Sequence, residues 1–209
     1  MTAASELIVR IRNRCNLAVD DARVDDTDLL DFLNASVQDL ESERDWPWAE
    51  AIEDISVVAG DNTYTPHSSW KSTLSLTCVD PSSVISRRTW KWTRRLSWTD
   101  LRGEPMFYTE HAGTIYVYPV PDSSYTLQHR YIKKLDKLDS TSSSVVSPDW
   151  FDRILITRTA IYVAQKLRDS ELYQMLNSEY RNQMRRAVDE VGRSHEPITI
   201  ATRRDWEYG

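Results

Sequence analysis

Four histidines, two cysteines and a dense set of carboxylates carry most of the reactive side-chain chemistry in this 209-residue sequence. None of His67, His111, His129 and His195 stands in an H-E-x-x-H arrangement or beside a Cys-x-x-Cys pair, so no zinc-type ligand spacing is present. His129 falls in a predicted strand with Leu127 and Tyr131 on its own face, where a packed or surface imidazole is expected rather than a ligand. Cys15 and Cys78 are far apart and are expected as free thiols in a reducing compartment. No G-x-S-x-G elbow, Walker loop or dinucleotide fingerprint occurs, and with only 5 glycines a phosphate-cradling loop has little to be built from. Carboxylate pairs abound between Asp20 and Asp54, but so acidic a stretch produces them by chance. Acid/base hydrolysis would further require two of them to flank a cleft. The sequence therefore points away from an enzyme and implies no metal and no cofactor; a hydrolase with an unrecognised carboxylate site is the residual enzymatic alternative.

The segment Arg87–Arg95 (RRTWKWTRR) could do a different chemistry. Arg87, Arg88, Lys91, Arg94 and Arg95 interleaved with Trp90 and Trp92 could track a phosphate backbone and stack on bases. The same residues could form a hairpin whose tryptophans meet a core or a neighbouring subunit while the cations meet acids. If the segment is a strand, Trp90 and Trp92 share a face with Arg88 and Arg94, and Lys91 lies on the other. The formal net charge of −6 weakens a dedicated nucleic-acid binder and favours subunit contact. Charge is also unevenly placed. Asp20–Asp54 holds thirteen acids against Arg23 and Arg44, and Arg87–Arg102 holds six bases against Asp100. Opposed blocks on one chain suit contact between identical copies; two solvated faces without a partner are the alternative.

Periodicity predicts the elements that position these residues. A first helix is expected over Ala4–Val19, with Leu7, Ile8, Ile11, Cys15 and Ala18 at helical spacing. Asp25 or Asp26 should start a second, carrying Leu29, Leu30, Leu33, Val37 and Leu40 and ending before Pro47. From residue 49 the pattern turns to extended segments: 52–58, Thr63-Tyr64, Ser72–Val79 alternating about Leu74, Leu76 and Cys78, then Thr114–Tyr118 and Tyr125–Ile132 joined by a turn at Pro119–Asp122. Ser140–Ser147 has linker composition. Ser147-Pro148 predicts a helix start with serine as N-cap. A last helix over Glu171–Val191 is expected to stop at Gly192. Beyond it Ile198, Ile200, Trp206 and Tyr208 give an aperiodic tail apolar content, as expected of an arm that orders on a neighbour. The expected fold is α+β: a helical bundle from residues 1–48 and 148–193, an inserted small antiparallel β domain over 49–147, and an extended C-terminal arm over 194–209. The apolar stretch near the N-terminus is only a few residues long and is broken by Arg10 and Arg12, so neither a signal peptide nor a membrane span is expected.

Three collinear stretches resemble the head-to-tail adaptor (connector) proteins of tailed bacteriophages. Asp28–Trp48 (DLLDFLNASVQDLESERDWPW) is similar to their second helix, Leu-rich and ending in a basic residue, an acidic or polar residue and Trp. Phe107–Leu138 resembles their hairpin, in which an I-Y-V-Y-P strand is followed by a P-D turn and an L-x-x-x-Y strand. Ser147–Tyr180 is similar to their C-terminal helical pair. Residues 66–106 match that pattern poorly. The resemblance implies a structural virion protein at the capsid–tail junction, made in the host cytoplasm, without enzymatic activity. It implies a ring of copies, usually dodecameric, that joins the portal protein to a tail (nozzle or tail-terminator) protein and lets DNA pass without sequence-specific contact during genome ejection. It also implies that the helical bundle is portal-proximal and the β domain tail-proximal. The arm then becomes a portal contact, with Ile198, Ile200, Arg203, Arg204, Trp206 and Tyr208 as its candidate anchors. Part of Asp20–Asp54 is expected to line the channel, because an acidic wall repels phosphate.

Overall fold

The computed structural model of the chain describes residues 2–19, 21–93, 101–145 and 147–194. In chain order the elements are β1 (Thr2–Ala3), α1 (Ala4–Arg14), α2 (Asp26–Glu43), a 3-10 turn (Pro47–Ala49), β2 (Glu50–Val57), β3 (Thr63–Tyr64), β4 (Trp70–Cys78), β5 (Ser83–Arg87), α3 (Trp90–Thr93), β6 (Phe107–His111), β7 (Thr114–Tyr118), β8 (Tyr125–Lys133), β9 (Ser144–Val145), α4 (Asp149–Leu167) and α5 (Ser170–Ser194). The fold is α+β. It divides into two compact units, Met1–Asp39 with Lys137–Gly209 and Leu40–Asp136, so one division falls within α2.

The first unit is built from amphipathic helices. α1 buries Leu7, Ile8 and Ile11, α2 buries Leu29, Leu33 and Val37, and α4 buries Phe151, Ile154, Leu155 and Ile161. α4 packs along α5 and α1. Polar contacts tie α4 to α2: Thr159 Oγ1 donates to Ser36 Oγ (3.1 Å), and Asp39 Oδ2 accepts from Arg158 Nε (2.9 Å) and the Tyr162 hydroxyl (2.5 Å). α1 stops at Arg14, short of the expected Val19. Asn16 takes a left-handed φ of 52°, its N–H bonds to the Asn13 carbonyl, and the Leu17 N–H reaches back to the Arg12 carbonyl. That double bond pattern terminates a helix, with asparagine replacing the usual glycine. α2 begins as expected: Asp25 Oδ1 accepts the Asp28 N–H (2.7 Å) and Asp28 returns a carboxylate oxygen to the Asp25 N–H (3.1 Å), a reciprocal capping box. At α4 the expectation fails in detail: the N-cap is Pro148, and the Ser147 hydroxyl donates to Asp152 Oδ1 without capping a backbone N–H of the helix start. α5 continues through Gly192 to Ser194, because an interior glycine costs a helix only about 1 kcal/mol. The predicted linker is in part structured: Ser144–Val145 pairs with Thr2–Ala3, and the Ser143 and Thr141 carbonyls accept from the Ala4 (2.8 Å) and Ser5 (2.9 Å) N–H groups.

In the second unit seven strands form one sheet in the order β2-β8-β4-β5-β6-β7-β3. Its terminal strands come together through side chains, as the Tyr64 hydroxyl of β3 donates to Glu53 Oε1 of β2 (2.6 Å), so the sheet is nearly closed. Ile55, Val57, Leu76, Cys78, Ile85, Tyr108, Ile115, Val117 and Leu127 fill one core inside it, drawn from six strands. Both cysteines are free and buried. Two expectations are corrected. Leu74 is 48% exposed because a register shift between Thr73 and Ser75 breaks the alternation that would have placed it beside Leu76 and Cys78. The strands flanking Pro119–Asp122 do not form a hairpin: β7 pairs with β6 and β3, whereas β8 lies between β2 and β4. Pro119 and Pro121 carry no N–H, and the connection is held elsewhere, by Val120 N–H to the Leu101 carbonyl (3.0 Å) and Gly60 N–H to the Pro121 carbonyl (2.8 Å). The hairpin instead joins β6 to β7 through Ala112-Gly113, both at positive φ, as a two-residue turn of this twist demands.

Candidate functional site

The Arg87–Arg95 segment follows β5, whose parallel pairing with β6 sets Arg87 opposite Tyr108. Trp90–Thr93 then forms a single helical turn, closed by Thr93 Oγ1 donating to the Trp90 carbonyl (2.8 Å), so the strand-face reading of Trp90 and Trp92 does not hold. Trp90 lies parallel to His111 (ring centroids 4.2 Å, planes 6° apart) and against Tyr116 (5.1 Å), both on the β6–β7 hairpin. Trp92 meets Phe107 edge-on at 5.4 Å. The Arg88 guanidinium sits 4.9 Å from the Phe107 ring centre and 5.4 Å from that of Trp92, and Arg87 pairs with Glu110 at 2.5 Å. The aromatic faces that could stack on bases are therefore spent on the hairpin, and two cations are held within the unit. Lys91 is exposed. Arg94 and Arg95 lie outside the described residues, as do the arm positions Ile198, Ile200, Arg203, Arg204, Trp206 and Tyr208.

Part of the acidic block is also committed. Asp26 pairs with the buried Arg12, Asp28 with Lys166, Asp39 with Arg158, Asp45 with Lys71 and Glu50 with Arg130. Asp31 and Asp54 are exposed and form no ion pair among the described residues.

Sequence reasoning missed a polar cluster inside the sheet. Glu53 and His129 stand directly opposite each other on β2 and β8. His129 is fully buried, with Nδ1 2.9 Å from Glu53 Oε1 and Nε2 3.0 Å from Thr73 Oγ1, which also accepts the Trp70 Nε1–H (3.1 Å). A neutral imidazole protonated on Nδ1 satisfies both contacts. Glu53 Oε1 further accepts from Tyr64 and from the His67 N–H (3.5 Å). Burial alone would raise the Glu53 carboxyl, and the hydrogen bonds from Tyr64, His129 and His67 more than offset this, holding it below the ordinary glutamate value. The available signal was parity: Glu53 shares its strand face with Ile55 and Val57, and His129 with Leu127. Among the described residues no three His, Cys, Asp or Glu side chains are grouped to hold a metal ion, and no described helix is long and apolar enough to cross a membrane.

A third feature is a groove of about 760 Å³ in the first unit, walled by α1, α4 and α5. Residues Glu179, Asn182, Gln183, Arg186, Ala187 and Glu190 line it along one face of α5, opposite Trp150, Arg153, Ile154 and Thr157 of α4 and Arg10 and Arg14 of α1. Among the described residues these three features offer packing, ion pairing and a groove. Residues 1–205 match the model of the family described as SU10 adaptor protein. The chain belongs to that family of phage head-to-tail adaptor proteins. Among curated proteins none matches the chain. Membership makes this adaptor a structural phage protein of the capsid–tail junction, associated with portal and tail components. The match spans both units of the adaptor and includes residues 66–106, which the sequence resemblance covered poorly.

Proposed function

We propose that the adaptor acts as one subunit of a ring, dodecameric as is usual for such connectors, that joins the capsid portal to the tail and lets DNA through its channel. The family match over residues 1–205 carries this reading. In it the helical unit meets the portal, the sheet unit points toward the tail (nozzle or tail-terminator) protein, and the arm supplies portal anchors at Ile198, Ile200, Arg203, Arg204, Trp206 and Tyr208. Aromatic and Arg side chains are the types that dominate such contacts. Asp31 and Asp54 are acids suited to face the passing DNA, since both are exposed and form no ion pair among the described residues, whereas Asp26, Asp39 and Glu50 are neutralised by internal pairs. The test is co-assembly of purified adaptor and portal, read by mass for each alone and for the mixture. The full chain is expected to form a ring on the portal, and deletion of residues 194–209 to abolish attachment with the unfolding transition unchanged. Undiminished attachment of the deletion variant would overturn the role of the arm, and a subunit ring absent from the mixture would overturn the ring.

A further inference from the structure

The groove among α1, α4 and α5 carries more positive than negative charge. Arg10, Arg14, Arg153 and Arg186 line it against Glu179 and Glu190. Arg10 pairs with Glu6 and Arg14 with Glu179, whereas Arg153 and Arg186 are exposed and form no ion pair among the described residues. Ile154 and Ala187 are buried in its floor, beside the half-buried Trp150. The same unit presents a surface of opposite character. Thr27, Asp31 and Gln38 are exposed along one line of α2, with the half-buried Ala35 at helical spacing among them. Asp31 forms no ion pair among the described residues, and no cation stands in that row.

The two surfaces lie on different sides of α4. Trp150, Arg153, Ile154 and Thr157 face the groove, whereas Arg158, Thr159, Tyr162 and Lys166 contact α2. At about 100° per residue these two sets are centred roughly 140° apart around the helix. One chain therefore cannot seat its own α2 in its own groove. Lengths agree as well. Eleven residue steps separate Glu179 from Glu190 along the groove and likewise Thr27 from Gln38 along α2, about 17 Å of helix in each case.

We infer that the groove receives the Thr27–Gln38 face of α2 from a second copy of this chain. Asp31 then faces the unpaired Arg153 and Arg186, and the small Ala35 lets the ridge of α2 side chains approach the apolar floor. Groove and ridge are different surfaces, so the contact is heterologous. Each copy that fills a neighbour's groove leaves its own groove open for the next, which builds a ring when the rotation between copies closes. The inference rests on the ring reading above and assigns the subunit contact within it. Of the two acids suited to face DNA it takes Asp31 and leaves Asp54.

The experiment mixes full-length chains with portal over a range of adaptor concentrations and reads ring yield by mass. R153E/R186E and D31K/Q38K change exposed positions and should each keep the wild-type unfolding midpoint. Each is expected to need at least about tenfold more protein for the same yield, because like charges then meet across the contact. An equimolar mixture of the two should restore the wild-type yield, since each variant's groove then meets an α2 of opposite charge on the other. Should a double variant lose stability, R186A and D31A supply the same decision: their combination should assemble no worse than the poorer of the two, and additive losses count against the contact. Undiminished assembly of either charge-reversed variant alone, or a mixture no better than its parts, overturns the inference and leaves the ring standing. Wild-type adaptor that binds portal only as single copies overturns the ring reading and this contact with it.

Discussion

Glu53 carries three hydrogen bonds on one carboxylate oxygen, and each is made to the ionised form. Its folded carboxyl is held below the ordinary glutamate value, so the contribution is fully present above that value and is lost as pH falls through the lower folded one. E53Q keeps the shape and removes the charge. It is expected to cost about 1–3 kcal/mol at pH 7 in urea unfolding, and progressively less as pH falls below the ordinary glutamate value, where the wild type loses the same interactions. A cost independent of pH would show that shape, not ionisation, is what Glu53 supplies. Cys15 tests burial in the other unit. Desolvation pushes its thiol up to about 11, against a smaller opposing effect of Arg14, and it is free and buried. Neither Cys15 nor Cys78, which burial also raises, should react with a thiol reagent at pH 8 in the folded chain, and both should react on unfolding. Rapid reaction of one thiol under native conditions would locate an opening of its unit.

Caps set the element boundaries in the first unit. D25A removes one half of the box that starts α2 and is expected to cost about 1 kcal/mol. N16V places a β-branched residue at the left-handed position that ends α1 and should cost about 1–2 kcal/mol, whereas N16G should be close to neutral; thermal unfolding of the three variants distinguishes these outcomes. The same elements show what the sequence makes legible. The Asp25 start of α2 and the buried stripe Leu29, Leu33, Val37 could be read because both depend on neighbours within one or two turns. The end of α1 could not, since Asn16 competes with an apolar spacing that continues to Ala18. Strand existence was visible for β7 and β8, but strand partnership was not. A proline turn between two alternating runs reads as a hairpin, and only the bonds from Leu101 and Gly60 reveal that the chain crosses to another neighbour. The Trp90–Thr93 turn was hidden for a related reason: alternating Trp and Lys fits a strand locally, and the stacking on His111 and Tyr116 that holds the turn comes from residues over twenty positions away.

Across the whole chain the charge counts change meaning once partners are known. The linear blocks suggest an acidic face and a basic face, yet Asp26, Asp28, Asp39, Asp45 and Glu50 meet bases locally, and Arg87 meets Glu110. Fields of paired charges fall off faster than those of free ones, so these pairs weaken the contrast that the linear blocks suggest. If DNA passes through a ring of these subunits, as proposed, weak poles would be favourable, because every phosphate neutralised would release counterions and retard passage. The isolated adaptor is therefore expected to bind duplex DNA with a Kd at or weaker than ~10⁻⁴ M, the weak end of non-specific binding. Fluorescence anisotropy at low and moderate salt measures this directly. R87A/R88A/K91A should change the affinity by less than about threefold, since Arg87 is tied to Glu110 and Arg88 lies on Phe107 and Trp92, leaving Lys91 as the exposed cation of the three without a described contact. Micromolar or tighter binding with a steep salt dependence, lost in that variant, would instead make Arg87–Arg95 a nucleic-acid surface.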